Sequence, residues 1–248
     1  MTETIALVLG VSMLAAAGVL LRHRYWPNTD AEPREDVAEY IAMMVGVLYA
    51  LLLGLSLVSV WEGRSSAEEH VQNEANAAHE IYQLADGLPG ADAVHLRESV
   101  TQYVHHAVRT ELPAMATGEP PGQEGWRLLQ DVRAANRVPG DAQAMEQVTM
   151  REVVTQLWVM GDARRGREAD ARNGLSPVLW FGLLGGGLLT IAFMFMFGIQ
   201  RSVTHVVMVM GLTGLITLTV LLIYQLDQPF TGPMAVDSSS FNRYFPSA

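Results

Sequence analysis

Four long stretches without a charged side chain limit what this chain can fold into. Each is about 20 residues long and contains no Asp, Glu, Lys or Arg; they are residues 4–21, 41–61, 177–199 and 203–226. A helix of that length crosses the roughly 30 Å hydrocarbon core of a bilayer. Buried helices of soluble proteins seldom run so far without a charge. We therefore predict an all-α integral membrane protein with four transmembrane helices in two pairs.

The two pairs flank a polar segment that we predict to be a soluble helical domain. By composition, transmembrane helices 1 and 2 lie in residues 1–61, the soluble domain in 62–175, transmembrane helices 3 and 4 in 176–226 and a C-terminal tail in 227–248. A cleaved signal peptide is an alternative interpretation of the first apolar stretch. It is disfavoured because no basic residue precedes that stretch, whereas Arg22 and Arg24 follow it.

One helix is predicted to run from the second apolar stretch into the soluble domain. Between Glu62 and Ala85 the sequence is rich in Ala, Glu and Gln, and Gly63 is its one weak breaker. A helix from about Ile41 to about Asp86 would be on the order of 70 Å long. Such a helix would carry the fold out of the membrane.

Two further helices of the soluble domain are predicted from their boundaries. Pro113 is expected to end a helix that starts near Ala91, because proline disfavours helical geometry in the residue before it. The last soluble helix is expected to begin at Asp141 as its N-cap. It offers an apolar stripe at helical spacing, made of Met150, Val153, Val154, Leu157, Trp158 and Met160.

Composition and motifs argue against several classes of function. The net charge of −10 disfavours a nucleic-acid partner, because a polyanion binds a basic patch. The chain has no nucleophile elbow, phosphate loop or Ser-His-Asp motif, so we expect no enzyme activity and no cofactor. His70 and Glu74 stand one helical turn apart, but we interpret them as part of a solvated helix surface and expect no metal. No apolar stretch has an acid or a base at its centre, which argues against active transport.

Small residues recur along the second apolar stretch. Ala42, Gly46, Ala50 and Gly54 are spaced four residues apart, so another helix can approach them closely. Two interpretations are open. The ladder packs within one subunit, or repeated copies of this helix meet around an axis.

Large apolar side chains occupy the other sides of the same stretch. Met44, Leu48 and Leu52 form one row. A second row comprises Met43, Val47, Leu51 and Leu55. Such rows either face lipid or form a hydrophobic constriction in a pore.

Acidic residues gather just before the second apolar stretch. If that helix lines a pore, Glu35, Asp36 and Glu39 lie at its entrance. Each position then contributes one carboxylate per subunit to a ring that concentrates cations. The alternative is a solvated loop that only keeps this segment out of lipid.

The number of spans places both termini and the soluble domain on one side of the membrane. Basic residues near the spans number about six on that side and about four on the other, which favours a cytoplasmic domain. The first helix alone indicates the opposite, since Arg22 and Arg24 follow it. We predict a multi-pass protein whose soluble domain and termini are cytoplasmic.

Residues along nearly the whole chain resemble a known family. They are Tyr49, Gly54, Trp61, Glu74, Ala75, Leu88-Pro89-Gly90, Glu111, Pro113, Met115, Gly118, Arg164, Arg165 and Arg167, the stretch 175–180, Phe197, Gly198, and Leu-Asp-Gln-Pro-Phe-Thr-Gly at residues 226–232. The last motif is the most specific. The set is similar to a bacterial membrane family described as bestrophin-like, and the resemblance implies a place in the bacterial inner membrane.

Bestrophins are pentameric ion channels, best known for conducting anions, and their second membrane helix lines a hydrophobic neck. In that class an Asn-Pro-Phe-Gly segment leads into an acidic calcium clasp. In this chain Asp237 is followed by Ser238, Ser239 and Ser240, so the clasp is depleted and calcium binding is not carried over.

The segment after the fourth span carries its own predictions. Pro229 should end the helix, and Gly232 permits a turn whose backbone conformation other residues rarely adopt. We expect Phe230 to be a buried anchor against the soluble helices. We expect Asp227 to pair with a helix terminus or with an arginine of the group Arg164, Arg165 and Arg167.

These observations predict a homo-oligomeric, pentameric ion channel whose second membrane helix lines the pore. Its partners would be the lipid bilayer, further copies of the chain and inorganic ions. The acidic residues favour cations, in contrast to the anion conduction of bestrophins. An alternative from another class is a non-conducting membrane scaffold or sensor whose helical domain binds a partner.

Overall fold

The computed structural model describes residues 35–136, 144–196 and 203–246, together with residues 6, 7, 9–11, 13–15, 17, 18 and 21. Every regular element in these ranges is helical, and none is a strand. We number the α-helices from residue 35 onwards as α1 Glu35–Leu84, α2 Gly90–His106, α3 Leu112–Ala116, α4 Glu124–Ala135, α5 Ala144–Asp170, α6 Pro177–Met196, α7 Val203–Leu226 and α8 Ser239–Tyr244. The predicted N-cap Asp141 lies outside the described residues.

Three helices among the described residues are long and apolar enough to cross a membrane. They lie at Tyr40–Gly87, Pro177–Met194 and Val206–Leu226. The all-α class is confirmed for the described ranges, and the three apolar helices indicate a membrane protein. Residues 4–21 lie partly outside those ranges, so the pairing of four membrane helices stays a prediction.

Helix α1 is unbroken for 50 residues, which corresponds to about 75 Å at 1.5 Å per residue. It contains no proline, and a glycine inside a helix, such as Gly63, costs only about 1 kcal/mol relative to alanine. The predicted continuous helix is therefore confirmed. It ends in a 3₁₀ turn, Ala85–Gly87, and Leu88 is extended because the following Pro89 disfavours helical geometry there.

Pro113 does not end a helix, and the prediction that it would is wrong. After α2 the chain makes a wide π turn, Ala107–Glu111, and continues directly into α3, with Pro113 in the first turn. The N–H of Leu112 donates to the carbonyl of Ala107, five residues back. Proline is tolerated at the start of α3 because the first N–H groups of a helix need no partner within that helix.

Contacts divide the chain into two units. The apolar unit comprises Met1–Trp61 and Leu175–Tyr224, and the polar unit comprises Glu62–Gly174 and Gln225–Ala248. Helix α1 contributes its first half to the apolar unit and its second half to the polar unit.

In the apolar unit, one face of α1 packs against α6. Tyr49 and Ser56, seven residues apart and thus on the same side of the helix, are both buried. A Cβ at Gly186 would come within 2.6 Å of Tyr49 Cδ2, and a Cβ at Gly187 within 2.7 Å of the Tyr49 hydroxyl. The close contact between this tyrosine and α6 therefore requires glycine at both positions.

The core of the polar unit consists of apolar side chains spaced three or four residues apart on several helices. Its members include Ala67, Val71, Ala78 and Ile81 of α1, Leu96, Val100 and Tyr103 of α2, Leu129 and Val132 of α4, and Met150, Val153, Leu157 and Met160 of α5. Two residues of the predicted stripe on α5, Val154 and Trp158, are exposed instead. They lie about 60° and about 100° around the helix from Leu157, at the border of the buried face.

Candidate functional site

Two of the three residues predicted to line a pore lie on the exposed side of α1, away from Tyr49. Met44 and Leu48 are 69% and 67% exposed, whereas Leu52 is half-buried and lies beside Gly182 of α6. The second apolar row is exposed as well; it consists of Met43, Val47, Leu51 and Leu55. Both rows can therefore face lipid, a pore or another subunit, and their place in a pore stays a prediction.

The small-residue ladder of α1 drifts around the helix. Four residues advance an α-helix by about 400°, so each step turns the ladder by about 40°. Ala42 and Gly46 are half-buried, whereas Ala50 and Gly54 are exposed. Within the described part of the chain, a Cβ at Gly46 or Gly54 would meet no atom within 4 Å. Contacts among the described residues therefore do not account for these two glycines, and their role in helix packing stays a prediction.

The three acids predicted at the pore entrance fall in the first turns of α1, which begins at Glu35. The side chains of Glu35, Asp36 and Glu39 lie outside the described residues. The predicted ring of carboxylates therefore stays a prediction.

The segment after α7 belongs to the polar unit. Phe230 is 3% exposed within the core of this unit, which confirms the predicted anchor. The carbonyl of Pro229 accepts a hydrogen bond from the N–H of Val236 at 2.8 Å and closes a loop. Inside that loop Gly232 has a φ of +80°, a conformation that favours glycine. Arg64 of α1 then donates from Nε to the carbonyl of Met234 at 2.9 Å.

Asp227 lies against the chain just after α5. A Cβ at Gly174 would be 3.2 Å from both carboxylate oxygens of Asp227. Arg164 and Arg167 form ion pairs with glutamates, and Arg165 pairs with an aspartate of its own helix. The predicted pairing of Asp227 stays a prediction.

A cluster of charged side chains is buried in the polar unit. This Arg–Glu cluster consists of Glu74 from α1, Tyr103 from α2, Glu111 from the π turn, and Arg164 and Arg167 from α5, and all five are fully buried. The interpretation of Glu74 as part of a solvated surface is therefore wrong. Since four elements each contribute a member, the cluster joins α1, α2, the π turn and α5.

The hydrogen bonds of the cluster match every carboxylate with donors. Arg164 donates from Nη1 and Nη2 to the two oxygens of Glu111 at 2.7 and 2.5 Å. Arg167 donates from Nε to Glu74 Oε2 at 2.7 Å, and its Nη2 bridges Glu74 Oε1 and Glu111 Oε2 at 3.1 and 2.9 Å. The hydroxyl of Tyr103 also donates to Glu74. Buried charges that are paired and hydrogen-bonded in this way avoid most of the cost of lost hydration.

Neighbouring groups close the cluster on its remaining sides. The Arg164 guanidinium lies over the rings of Tyr103 and Trp126, at 5.7 and 5.1 Å from their centres. A Cβ at Gly125 of α4 would collide with the Arg164–Glu111 pair. Glycine at this position therefore lets α4 cover the ion pair directly.

Comparison with known proteins gives one match. A family model for the bestrophin-like domain matches residues 9–241. The chain belongs to the bestrophin-like family. The match spans both units of this bestrophin-like chain and confirms the resemblance seen in its sequence, and it suggests a channel-type function. No curated protein and no solved structure gives a significant match.

Electrostatics favour the charged form of Glu111 and the neutral form of Tyr103 in this bestrophin-like chain. Burial raises the pKa of Glu111, but hydrogen bonds and charges from Arg164 and Arg167 outweigh it, so the pKa of this carboxyl is lowered. Burial, followed by the charge of Glu74, holds the pKa of Tyr103 well above its ordinary value. Tyr103 is therefore protonated at neutral pH and can donate to Glu74.

Sequence reasoning missed the cluster, although a signal for it was present. On α5 the buried positions Leu157 and Met160 are followed, at the same spacing of four and three residues, by Arg164 and Arg167. A charge at a position that continues an apolar stripe indicates a buried ion pair, because an unpaired charge there would be very unfavourable.

The histidine beside Glu74 has a separate partner. His70 Nδ1 lies 2.6 Å from Asp170 Oδ2, and its ring packs over Gly166. In the described ranges, no group of three or more His, Asp or Glu side chains could hold a metal.

Asp237, the acid at the position of the depleted calcium clasp, takes part in a local hydrogen bond. Asp237 Oδ1 accepts a hydrogen bond from the N–H of Ser239 at 2.9 Å, at the start of α8. Hydrogen bonds from Ser239 lower the pKa of Asp237. Phe241 of α8 is buried, and Tyr244 stacks on His79 of α1 with 4.3 Å between ring centres. The tail is thus fastened to α1 by aromatic side chains.

Proposed function

We propose that this bestrophin-like chain forms a homo-oligomeric ion channel, a pentamer, in which the first half of α1 lines the pore. The outward face of α1 carries the proposal, because it combines the exposed Gly54 with large apolar side chains. Family membership supports a channel-type function. The proposed site of action is the bacterial inner membrane, with the polar unit and both termini cytoplasmic.

The outward face of α1 has two different flanks. Counted from Tyr49 at 100° per residue, Gly54 lies at about +140°, whereas Leu48 and Met44 lie at about −100° and about −140°. The flank of Gly54 therefore mixes small residues with large ones, since Ala50 lies at about +100° and the exposed Met43 at about +120°. The flank of Leu48 and Met44 carries mainly large residues, and we call these two sides the small and the large apolar flank. A helix that faces only lipid needs no such difference. In a ring of identical subunits, however, each helix presents different flanks to a neighbour and to the axis.

The large apolar flank supports a hydrophobic constriction. Rows of Met and Leu side chains can gate ions by excluding water from a narrow pore. The small flank supports close approach of the neighbouring copy, because glycine lets helix backbones come together.

Assembly can be tested with a bulky side chain on the small flank. Gly54→Leu should overfill the contact between subunits and destabilise it by about 1–3 kcal/mol per contact. The measurement is the mass of the detergent-solubilised complex, with its Tm. Gly185→Leu is the matched control, since a Cβ at Gly185 of α6 also meets no described atom within 4 Å. A Gly54→Leu protein with the wild-type mass and Tm would contradict an interface at this position.

We further propose that the pore prefers cations. Glu35, Asp36 and Glu39 lie in the first turns of α1, just before its charge-free stretch at residues 41–61, so a pentamer would place several rings of carboxylates at one end of the pore. Such rings concentrate cations and repel anions.

Selectivity is measured as the reversal potential of purified protein in bilayers under a salt gradient. The triple substitution Glu35→Gln, Asp36→Asn and Glu39→Gln should move the reversal potential towards zero. The control removes the same charge by neutralising Glu69, Glu80 and Glu98, three exposed acids of the polar unit. Anion selectivity of the wild type, or unchanged selectivity of the first triple variant, would reject the acidic rings as the filter.

A second candidate function is a non-conducting scaffold or sensor. It is favoured by apolar side chains on the polar unit, since Met145, Val148 and Trp158 of α5 are exposed. Such residues can meet a protein partner. Wild-type protein that assembles in bilayers but carries no current under any gradient would favour this function over a channel.

A further inference from the structure

A cavity of about 160 Å³ lies in the polar unit, where three segments of this unit meet. One segment is the end of α3 with the chain after it, and the other two directly follow α5 and α7. Among the lining residues, Met115, Pro229 and Phe230 are buried. Glu119 and Arg172 line the same cavity and are exposed. The cavity therefore has an apolar floor and an open side that carries one acid and one base.

The two charges at the open side are not neutralised by each other. Among the described residues, neither Glu119 nor Arg172 forms an ion pair or a hydrogen bond through its side chain. A third polar side chain, Gln228, lies in the same lining, and its Oε1 accepts from the hydroxyl of Thr231 at 3.3 Å. Its amide nitrogen is left to donate to a ligand. Opposite charges that line one small cavity without pairing suit a molecule that carries both charges.

The cavity lies close to the ends of two helices that are long and apolar enough to cross a membrane. Arg172 is five residues before Pro177, where α6 begins, and Gln228 is two residues after Leu226, where α7 ends. An extended chain spans at most about 3.6 Å per residue, so these distances are within about 18 Å and about 7 Å. The headgroup region of a bilayer lies just outside its hydrocarbon core. Lipid headgroups are therefore the zwitterions that this cavity meets at the highest concentration.

We propose that this cavity binds the headgroup of phosphatidylethanolamine, which joins a phosphate to a primary ammonium group. Arg172 donates to the phosphate oxygens, because guanidinium groups form strong charged hydrogen bonds with phosphate. Glu119 accepts hydrogen bonds from the ammonium group. The acyl chains remain in the bilayer. A choline headgroup has no N–H to donate and a glycerol headgroup has no positive charge, so this pair of side chains favours ethanolamine. The site is independent of ion conduction, and its test does not rely on the proposed channel.

Native mass spectrometry of the full-length protein in detergent tests the choice of headgroup. Phosphatidylethanolamine and phosphatidylglycerol with identical acyl chains are added in equal amounts, and the bound lipids are counted. We expect phosphatidylethanolamine to bind about fivefold more tightly, since only its ammonium group pairs with Glu119. Phosphatidylcholine, compared in the same way, should also bind more weakly than phosphatidylethanolamine.

Competition identifies the source of the headgroup. The competitors are glycerophosphoethanolamine, which is the same headgroup without acyl chains, and inorganic phosphate. Neither should displace the lipid when added at the same concentration, because the acyl chains hold the lipid headgroup next to the cavity and raise its effective concentration.

Substitutions at the two charged positions test the site itself. Arg172→Gln should weaken binding of phosphatidylethanolamine about fivefold or more, because it removes the charged donor to the phosphate. Glu119→Gln should abolish the preference over phosphatidylglycerol, a loss of discrimination that unfolding would not produce. Both variants should fold, since both side chains are exposed. Arg151→Gln and Glu152→Gln are the matched controls from the exposed side of α5, and they should bind like the wild type.

Three results would each overturn the proposal. In the first, phosphatidylglycerol or phosphatidylcholine binds as tightly as phosphatidylethanolamine. In the second, glycerophosphoethanolamine or inorganic phosphate displaces the lipid at equal concentration, which would indicate a soluble ligand. In the third, Arg172→Gln binds phosphatidylethanolamine as well as Arg151→Gln does, or Glu119→Gln keeps the preference of the wild type.

Discussion

Replacing Arg167 with methionine will destabilise the polar unit by about 3–5 kcal/mol. The substitution removes the hydrogen bonds to Glu74 and Glu111 but leaves both carboxylates buried. Glu74 would keep only Tyr103 as its donor within the cluster. A buried charge without its partner is the main cause of so large an effect.

The measurement is thermal unfolding of the purified protein in detergent, where we expect the Tm to fall by about 6–20 °C. Arg165→Met is the matched control, since Arg165 lies two residues earlier on α5, is half-exposed and pairs with the exposed Asp162. This control should change stability by no more than about 0.5 kcal/mol. The double substitution Glu74→Leu with Arg167→Met should recover part of the loss, because it removes both charges of the pair. Equal Tm values for Arg167→Met and Arg165→Met would contradict the buried cluster.

Acid will weaken the same cluster. The folded protein lowers the pKa of Glu111, so the stability from this carboxylate is complete above its ordinary pKa of 4.5. It is lost as the pH falls through the lowered value, because the carboxyl then takes up a proton. In a Glu111→Gln variant this part of the pH dependence should be absent.

Phe230→Ala will destabilise the polar unit by about 3–5 kcal/mol. The side chain is almost fully buried among the apolar residues of the polar core. Its removal loses apolar contacts and leaves a cavity, since the surrounding helices relax only in part.

Thermal unfolding again provides the measurement for Phe230. Phe230→Leu is the control within the same site, because it retains an apolar side chain, and it should cost clearly less than alanine. Phe181→Ala is the control for a general effect of losing a phenylalanine, since Phe181 of α6 is exposed. If Phe230→Ala melts at the wild-type temperature, the residue does not anchor the segment after α7.

Local sequence was sufficient to predict the long helix α1 and the anchor at Phe230. A helix continues where no residue breaks it, and each of the residues from Glu62 to Ala85 tolerates helical geometry. Phe230 lies between Pro229 and Gly232, which favour a turn after the helix. Because large aromatic side chains are usually buried, one in such a turn is expected to pack against the rest of the fold.

Local sequence was not sufficient where several elements meet. Glu74 and Arg167 are 93 residues apart in the chain, and only their contact in the fold makes burial of either charge acceptable. Trp158 is the opposite case: the sequence placed it in an apolar stripe, yet it is exposed. A side chain at the edge of such a stripe is buried only if a neighbouring helix covers it. Pro113 was misjudged because a wide turn just before it could not be seen in residue preferences.

That wide turn, Ala107–Glu111, also sets which side chains point inward further along. In an uninterrupted α-helix, four residues overshoot a full turn by about 40°, so Ala107, Glu111 and Met115 would spiral away from a common line. All three are buried, which is consistent with a turn wide enough to bring them back into line. The placement of the Glu111 carboxylate therefore depends on the number of residues before it as well as on their chemistry.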